Sequence, residues 1–218
     1  MNFPQLAQIG FIAFACAGVY GFVTAARDGE TRRACSALCA MRPSYAGRNR
    51  LAPDFELASL GGGKVRLSQF RGKTVIINFW TKTCRPCLEE MPSLASLGKA
   101  LSGNDKVVLM TISTDETLED ARATLQSVLT GAPPFLVLLD PESKVVADTY
   151  GTKLYPETWF IDPNGVIRAR FDGGRDWGNA LTVDLAESLA GPIPCEASFL
   201  GGQPTEATKG VCADLDHE

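Results

Sequence analysis

KTVIINFWTKTCRPCLEEMPSLASLGKAL, residues 73–101, carries the strongest signal for the fold. Its first part, Lys73–Trp80, is almost continuously apolar, which is typical of a strand buried on both faces of a parallel sheet. Its last part, Leu88–Leu101, is compatible with a helix. Between them lie Cys84 and Cys87, spaced as Cys-x-x-Cys. Such a pair, at the turn from a buried strand into a helix, predicts thiol–disulfide chemistry.

The position of the two cysteines suggests their roles. The N-terminus of a helix carries partial positive charge and unbonded N–H groups, which favour a thiolate over a thiol. Cys84, at the turn, is therefore predicted to attack a partner's disulfide. Cys87, one turn into the helix, is predicted to resolve the mixed disulfide. The dipeptide between them, Arg85-Pro86, is assigned to redox tuning, because a cation beside Cys84 favours its thiolate.

A zinc site is the alternative interpretation of this pair. It would need two further ligands at suitable spacing. The only histidine is His217, close to the end of the sequence, and the other cysteines are distant from the pair. We therefore predict redox chemistry with no metal and no cofactor.

Size and composition limit the function classes. A length of 218 residues suits one domain with an added anchor. The hydrophobic content of 45% is that of a chain that buries a core. The net charge of −4 predicts no affinity for nucleic acid or for an anionic membrane surface.

The first 26 residues predict a membrane segment. Residues 1–26 contain no charged side chain, and Ile9–Val23 is almost wholly apolar. With the residues that follow, this run is long enough to span a slightly thinned bilayer. A cleaved signal peptide is the alternative, because Thr24-Ala25-Ala26 offers small residues near a candidate cleavage point. A lipoprotein signal at Cys16 is disfavoured, since the residues before it lack the usual leucine.

Charge and cysteine usage disagree about the side of the membrane. No Lys or Arg precedes the apolar run, whereas Arg27, Arg32 and Arg33 follow it. The positive-inside rule therefore places the C-terminal part in the cytoplasm. Seven cysteines suit an oxidising compartment instead. We give the cysteines more weight and predict a domain anchored at the periplasmic face of the inner membrane, or periplasmic or secreted if the segment is cleaved.

The rest of the sequence alternates strand and helix patterns. Besides Lys73–Trp80, the predicted strands are Phe55–Leu60, Lys64–Leu67, Lys106–Ile112, Phe135–Leu139, Glu157–Ile161 and Val166–Phe171. Besides the helix after the cysteines, the predicted helices are Thr31–Met41, Thr117–Thr130, Val145–Tyr150 and Leu181–Leu189. This order predicts an α/β fold, a three-layer sandwich with a mixed central sheet flanked by helices.

Several short motifs occur together in the globular part. They are Ala52-Pro53-Asp54-Phe55, Gly72-Lys73, Asn78-Phe79-Trp80, the pattern C-x-x-C-x-x-E-x-P from Cys84 to Pro92, Tyr155-Pro156-Glu157-Thr158 and Ile161-Asp162-x-x-Gly165. On these motifs, residues 51–191 resemble a thioredoxin fold. More narrowly, they resemble the membrane-anchored periplasmic thiol:disulfide oxidoreductases of the TlpA/ResA/DsbE type in the AhpC/TSA-Redoxin superfamily. The stretch Lys106–Tyr150 is similar to the extra strand–helix segment of that group.

With this resemblance, four segments are predicted. Residues 1–26 are the anchor or signal segment, and residues 27–50 are a connector. Residues 51–191 are the thioredoxin-like domain, and residues 192–218 are a loop-like tail that carries two cysteines.

The resemblance implies further site residues. Pro156 corresponds to the family's cis-proline beside the redox pair, which would leave the backbone of Tyr155 able to pair with an extended substrate peptide. Thioredoxins often have an aspartate where this chain has Asn78, which cannot take a proton. The role of holding or passing the proton of the resolving thiol therefore falls to Glu90. The family commonly has Trp at the position of Thr83, so a bulky cover over the sulfur is lost here.

Four cysteines lie outside the redox pair and the apolar run. Cys35 and Cys39 are one helical turn apart in the connector, and Cys195 and Cys212 lie in the tail. Structural disulfides between connector and tail are the preferred interpretation. Four cysteines allow three connectivities, and the sequence leaves them open. The alternative is a second redox pair, Cys35/Cys39, that passes electrons to the Cys-x-x-Cys pair.

The preferred function is a thiol–disulfide oxidoreductase that reduces disulfides in exported proteins, with Cys84, Cys87, Glu90 and Pro156 at its centre. Apocytochrome c and copper-site proteins are candidate substrates, and a membrane reductase is the expected electron donor. A peroxiredoxin is one alternative, because Thr81 lies three residues before Cys84. A redox-inert adaptor is another, and the intact cysteines argue against it.

Overall fold

The computed structural model of the chain describes residues 3–44, 50–191, 195 and 197–213, with side chains described from residue 8 onward. Within these residues the centre is a seven-stranded mixed sheet in the order β2-β1-β5-β4-β3-β6-β7. Its strands are β1 (Glu56–Ser59), β2 (Lys64–Arg66), β3 (Thr74–Trp80), β4 (Val107–Ser113), β5 (Leu136–Leu139), β6 (Glu157–Ile161) and β7 (Ile167–Asp172). The helices are α1 (Phe3–Met41), α2 (Arg85–Ala100), α3 (Leu118–Val128), α4 (Ala180–Leu189) and α5 (Glu206–Ala213).

Strand β3 leads to the cysteine pair. It runs parallel to β4, with Thr74 opposite Val107, and antiparallel to β6, with Phe79 opposite Glu157. All seven residues of β3 are buried, as its apolar sequence predicted. Because β6 runs antiparallel to β3, the start of β6 lies at the same edge of the sheet as the end of β3. This edge therefore brings the cysteine turn close to Tyr155-Pro156.

The two faces of the sheet bury separate clusters. Side chains alternate along β3, so Trp80 packs with α2, α3, α4 and the end of α1, while Phe79 packs on the opposite face. That opposite face is covered by a 3₁₀ turn at Leu67–Phe70 and a π-helical turn at Lys144–Thr149. The predicted α/β sandwich is confirmed, with the long helices concentrated on one face.

Most domain elements begin and end within two residues of their predicted bounds. The helix after the cysteines is the exception, because it begins at Arg85 rather than at Leu88. Cys84 caps it, since its Sγ accepts a hydrogen bond from the main-chain N–H of Cys87 at 3.2 Å. Pro86 fits the first turn, where a missing N–H leaves no helical hydrogen bond unmade.

The N-terminal helix is longer than predicted. Helix α1 runs without a break to Met41, so the helix predicted at Thr31–Met41 is its last part. From Gln8 onward it contains an 18-residue stretch with a mean hydropathy of 1.9, and by length and composition it could cross a membrane. The large apolar side chains between Ile9 and Val23 are exposed, and the described residues leave this surface uncovered. The last turns, from Ala34, pack instead against the domain.

The tail was predicted to be loop-like, and this was wrong for much of its length. A short hairpin of β8 (Phe199–Leu200) and β9 (Gln203–Pro204) precedes α5. The Thr208 hydroxyl accepts a hydrogen bond from Ser198 N at 2.9 Å. Phe199 is buried in the same cluster as the end of α1. These elements are too short to produce a periodic sequence pattern, and they are held by contacts to the rest of the fold.

Two disulfides join the end of α1 to the tail. Cys35 is bonded to Cys195, with S–S 2.10 Å, and Cys39 is bonded to Cys212, with S–S 2.12 Å. This is one of the three connectivities that the sequence left open. Cys35 and Cys39 are each bonded to a tail cysteine. A second redox pair would instead require a disulfide between Cys35 and Cys39.

Candidate active site

Cys84 and Cys87 form a disulfide at the turn between β3 and α2, with S–S 1.99 Å. Cys84, the N-cap of α2, is half-buried, whereas Cys87 is 0% exposed. This difference makes Cys84 the sulfur that a partner protein can reach.

The two residues between the cysteines lie at the exposed start of α2. The Arg85 side chain is 89% exposed, and its Nε donates a hydrogen bond to Glu89 Oε1 at 2.7 Å. The redox-tuning role of Arg85 stays a prediction, and solvent and this ion pair both screen its charge. Pro86 lies against Gly174, where an added Cβ would come within 3.3 Å of the Pro86 carbonyl oxygen.

Glu90 is buried behind the cysteine pair. It follows Cys87 by three residues on α2 and is 4% exposed. Its Oε1 accepts a hydrogen bond from Asn78 Nδ2 at 2.8 Å, and its Oε2 accepts from Trp177 Nε1 at 2.9 Å and from Arg175 N at 3.1 Å. Burial raises the pKa of the Glu90 carboxyl above its ordinary value, and the three N–H donors only partly oppose this.

Sequence reasoning missed Trp177 and Arg175. Both lie in the loop between β7 and α4, more than eighty residues after Glu90. The Arg175 guanidinium donates a hydrogen bond to Met41 O at 3.3 Å and lies 4.8 Å from the centre of the Phe171 ring. The end of α1 is thereby connected to the loop that holds Glu90. The one available signal was a tryptophan outside every predicted strand and helix.

A third missed residue, Asp115, fixes the loop before Cys84. It follows β4 and is 1% exposed. Its Oδ1 accepts hydrogen bonds from Thr81 Oγ1 at 2.9 Å and from Lys82 N at 2.7 Å. The main-chain N–H of Cys84 donates to Thr81 O at 3.0 Å, which closes the turn. The Thr81 hydroxyl that suggested a peroxiredoxin is therefore bonded to Asp115.

The segment before β6 completes this edge of the sheet. The Tyr155–Pro156 peptide bond is cis, and Pro156 O accepts a hydrogen bond from Gly173 N at 2.9 Å. Tyr155 and Cys84 are both half-buried against the same apolar cluster. Among the described residues, no main-chain hydrogen bond is formed by Tyr155. The main-chain N–H and C=O groups of Tyr155 are therefore not used by the described part of the fold.

The zinc alternative gains no support from the described part of the chain. There, no group of three or more His, Cys, Asp or Glu side chains is arranged to hold a metal ion. His217 lies outside the described residues.

Comparison with known proteins agrees with this architecture. The family model described as AhpC/TSA family matches residues 49–170. The thioredoxin-like protein YneN of Bacillus subtilis is 32% identical over 117 residues, which are 54% of this chain and 66% of YneN. The thiol-disulfide oxidoreductase ResA of Geobacillus thermodenitrificans is 32% identical over 122 residues, 56% of this chain and 67% of ResA. The chain thus spans about two thirds of the length of these relatives.

A solved structure also resembles this chain in its fold. The crystal structure of a protein proposed to be the thiol:disulfide interchange protein DsbE of Chlorobium tepidum superposes with a TM-score of 0.56 at 27% sequence identity. The superposition covers 67% of this chain and 99% of that chain. With more than half of its length matched by the family model and a thioredoxin-like structural neighbour, the chain belongs to the AhpC/TSA family and has a thioredoxin fold.

Proposed function

We propose that the chain is a thiol–disulfide oxidoreductase that reduces disulfides in exported proteins through Cys84 and Cys87. The observation that carries the proposal is their disulfide at the N-terminus of α2, with one sulfur half-buried and the other fully buried. The reaction class is that of the relatives named ResA and is supported by the DsbE-like structure.

The reaction consists of two exchanges. The Cys84 thiolate attacks one sulfur of the substrate's disulfide, forms a mixed disulfide and releases the other sulfur as a thiolate. Cys87 then loses its proton and attacks Cys84, which frees the substrate dithiol and closes the Cys84–Cys87 disulfide. Two electrons pass to the substrate in each cycle. A membrane reductase, as the proposed electron donor, restores the dithiol.

Glu90 is proposed to take the proton that Cys87 loses. Both groups lie on the buried face of α2, three residues apart. A carboxyl whose pKa is raised by burial exchanges protons closer to neutral pH than an exposed one. Glu89 is exposed and paired with Arg85, so it provides a matched control on the same helix.

The substrate is proposed to bind along Tyr155, beside the cis Pro156. Its backbone would pair with the main chain of Tyr155 while its disulfide meets Cys84. Thr83 is exposed and small, so it leaves the approach to Cys84 open. Apocytochrome c and copper-site proteins are the proposed substrates, because both carry cysteines that must be reduced before their cofactor or metal is bound.

The site of action is proposed to be the periplasmic face of a membrane. The apolar surface of α1 suits a membrane anchor. The two disulfides at the end of α1 require an oxidising compartment to persist. We give these disulfides more weight than the three arginines that follow the apolar run.

The equilibrium reduction potential of the Cys84–Cys87 pair tests the proposal. Measured against glutathione, we expect a value near that of thioredoxin, about −270 mV, as suits a reductant. A value near about −120 mV would make the protein an oxidant and contradict the proposed direction. In addition, Cys87→Ser should trap mixed disulfides with exported proteins, and Cys84→Ser should trap none.

A further inference from the structure

In the side-chain amide of Asn78, the nitrogen forms hydrogen bonds and the oxygen forms none with the described residues. Its Nδ2 donates hydrogen bonds to Glu90 Oε1 at 2.8 Å and to Thr158 Oγ1 at 2.9 Å. Its Oδ1 is buried and accepts no hydrogen bond from the described residues, although Asn78 is 0% exposed. Buried side-chain oxygens nearly always have a hydrogen-bond partner. This oxygen is therefore available to accept a hydrogen bond if the amide changes its orientation.

The other neighbours of Glu90 determine where a proton can be added. Its Oε2 accepts hydrogen bonds from the indole N–H of Trp177 and the main-chain N–H of Arg175. Both groups can only donate. A proton on Oε2 would point at these donors, so the proton of a neutral Glu90 must lie on Oε1, the oxygen that faces Asn78.

A proton on Oε1 needs an acceptor. In the present orientation Asn78 presents its NH₂ group there, which cannot accept. Half a turn about the Cβ–Cγ bond would present Oδ1 instead. The Thr158 hydroxyl can either accept or donate, so it would accept from Nδ2 in one orientation and donate to Oδ1 in the other. The two orientations form the same number of hydrogen bonds, and in the reversed one the NH₂ group takes the buried position that Oδ1 holds now.

We propose that Asn78 is a positioning residue whose side-chain amide reverses when Glu90 gains or loses a proton. When Cys87 attacks the mixed disulfide, its proton passes to Glu90 Oε1. The amide then turns so that Asn78 Oδ1 accepts a hydrogen bond from the protonated carboxyl. When Glu90 gives the proton up, the amide turns back. The inference rests on the proposed function only in requiring that Glu90 change its protonation state during turnover.

This arrangement explains why an amide suits the position. An aspartate at 78 would place a second negative charge beside Glu90, and the two carboxylates would not ionise together. Among the described residues, the charged groups near Glu90 are the Arg175 guanidinium and the carboxylates of Glu89 and Asp176, which line the same cavity, and Cys87 lies one turn earlier on the buried face of α2. Strands β3 and β6 contribute only the neutral side chains of Asn78 and Thr158.

Side-chain NMR of the full chain in detergent micelles tests the inference. The sequence contains only six asparagines, so ¹⁵N-asparagine labelling gives few signals. As Glu90 is titrated, followed by its ¹³C carboxyl shift, the amide protons of Asn78 should move upfield and lose their NOEs to Thr158 with the same midpoint. Asn104 is the matched control, because its Nδ2 donates to Glu187 Oε1 at 3.0 Å on the surface. Its signals should not follow the titration of Glu90.

Glu90→Gln provides a fixed mimic of the protonated state. The Gln carbonyl must accept from Trp177 and Arg175, so its NH₂ group faces Asn78. The Asn78 signals should then match those of the low-pH wild type at every pH. A high-pH pattern in Glu90→Gln would overturn the inference, as would Asn78 signals in the wild type that ignore the titration of Glu90. The wild-type titration decides alone if Glu90→Gln does not fold.

The pH dependence of Cys84–Cys87 exchange tests the proposed function separately from the amide reversal. If Asn78 reverses with Glu90 while the rate of Cys84–Cys87 exchange shows no inflection at that pH, the amide reversal stands. The proton role of Glu90 in the proposed function would then be wrong.

Discussion

Removing the disulfides between α1 and the tail should destabilise the domain. The loss for each disulfide should depend on whether the other one is still present. The variants are Cys35→Ala with Cys195→Ala, Cys39→Ala with Cys212→Ala, and all four together. The bonded cysteines are 160 and 173 residues apart. In the chain-entropy estimate, a single bridge over a loop of this length stabilises the fold by about 5 kcal/mol.

The two disulfides do not act independently, because their ends lie close together along the chain. Once one bridge exists, the other closes a ring made of the four-residue step from Cys35 to Cys39 and the 17-residue step from Cys195 to Cys212. For a ring of roughly 21 residues the same estimate is about 3 kcal/mol. We therefore expect a loss of about 3 kcal/mol for either pair and about 8 kcal/mol for both. The double loss should exceed the sum of the two single losses.

Guanidinium unfolding in detergent measures these losses. Three fully buried tryptophans, Trp80, Trp159 and Trp177, report unfolding of the domain by fluorescence. The free energy follows from linear extrapolation, with the Cys-x-x-Cys pair kept oxidised in every variant. Cys35→Ala alone is the control, because it breaks the same cross-link with a smaller change in packing. Its loss should agree with that of the full pair.

Two results would contradict this reasoning. One is a four-cysteine variant that is no less stable than a variant lacking a single pair. The other is a loss below about 1 kcal/mol for each pair. The stabilisation that comes from restricting the unfolded chain would then be well below the chain-entropy estimate. Either result would mean that contacts of the α1 end, and not the cross-links, hold it to the domain.

Three further predictions concern the redox site and the anchor. After mild reduction at neutral pH, an alkylating reagent should label Cys84 well before Cys87, and the reverse order would exclude Cys84 as the nucleophile. Because burial raises the pKa of Glu90, the folded state keeps this proton to a higher pH than the unfolded state does. The free energy of unfolding should therefore fall as the pH rises from the ordinary glutamate pKa of 4.5 to the raised pKa of the folded state. Glu90→Gln should flatten that part of the stability curve, Glu89→Gln should not, and equal curves for both would remove Glu90 from the titration. A periplasmic-type reporter fused to the C-terminus should be active and stay with membranes after a high-salt wash, whereas activity of a cytoplasmic-type reporter would show that the arginines after the apolar run decide the topology.

Elements with a local signal could be predicted from the amino-acid sequence. The apolar run of β3, the Cys84-x-x-Cys87 turn and the helix that follows are adjacent in the chain, so periodicity and spacing were sufficient to predict them. The same holds for most strands, which start and end close to their predicted bounds. The roles suggested for Tyr155-Pro156 and Glu90 came from the motif resemblance and remain proposals.

Contacts between distant groups could not be predicted in this way and are seen only in the folded chain. Trp177 reaches Glu90 across 87 positions, and Asp115 reaches Thr81 across 34, so no local pattern links either pair. The partners of the four remaining cysteines were open for the same reason, since chain spacing does not distinguish the three connectivities. The burial of Glu90 against Asn78 depends on α2 crossing the face of β3, and that packing sets both the raised pKa and the unused amide oxygen. Local propensity determines elements, whereas the electrostatics of a site depend on contacts that form when those elements pack.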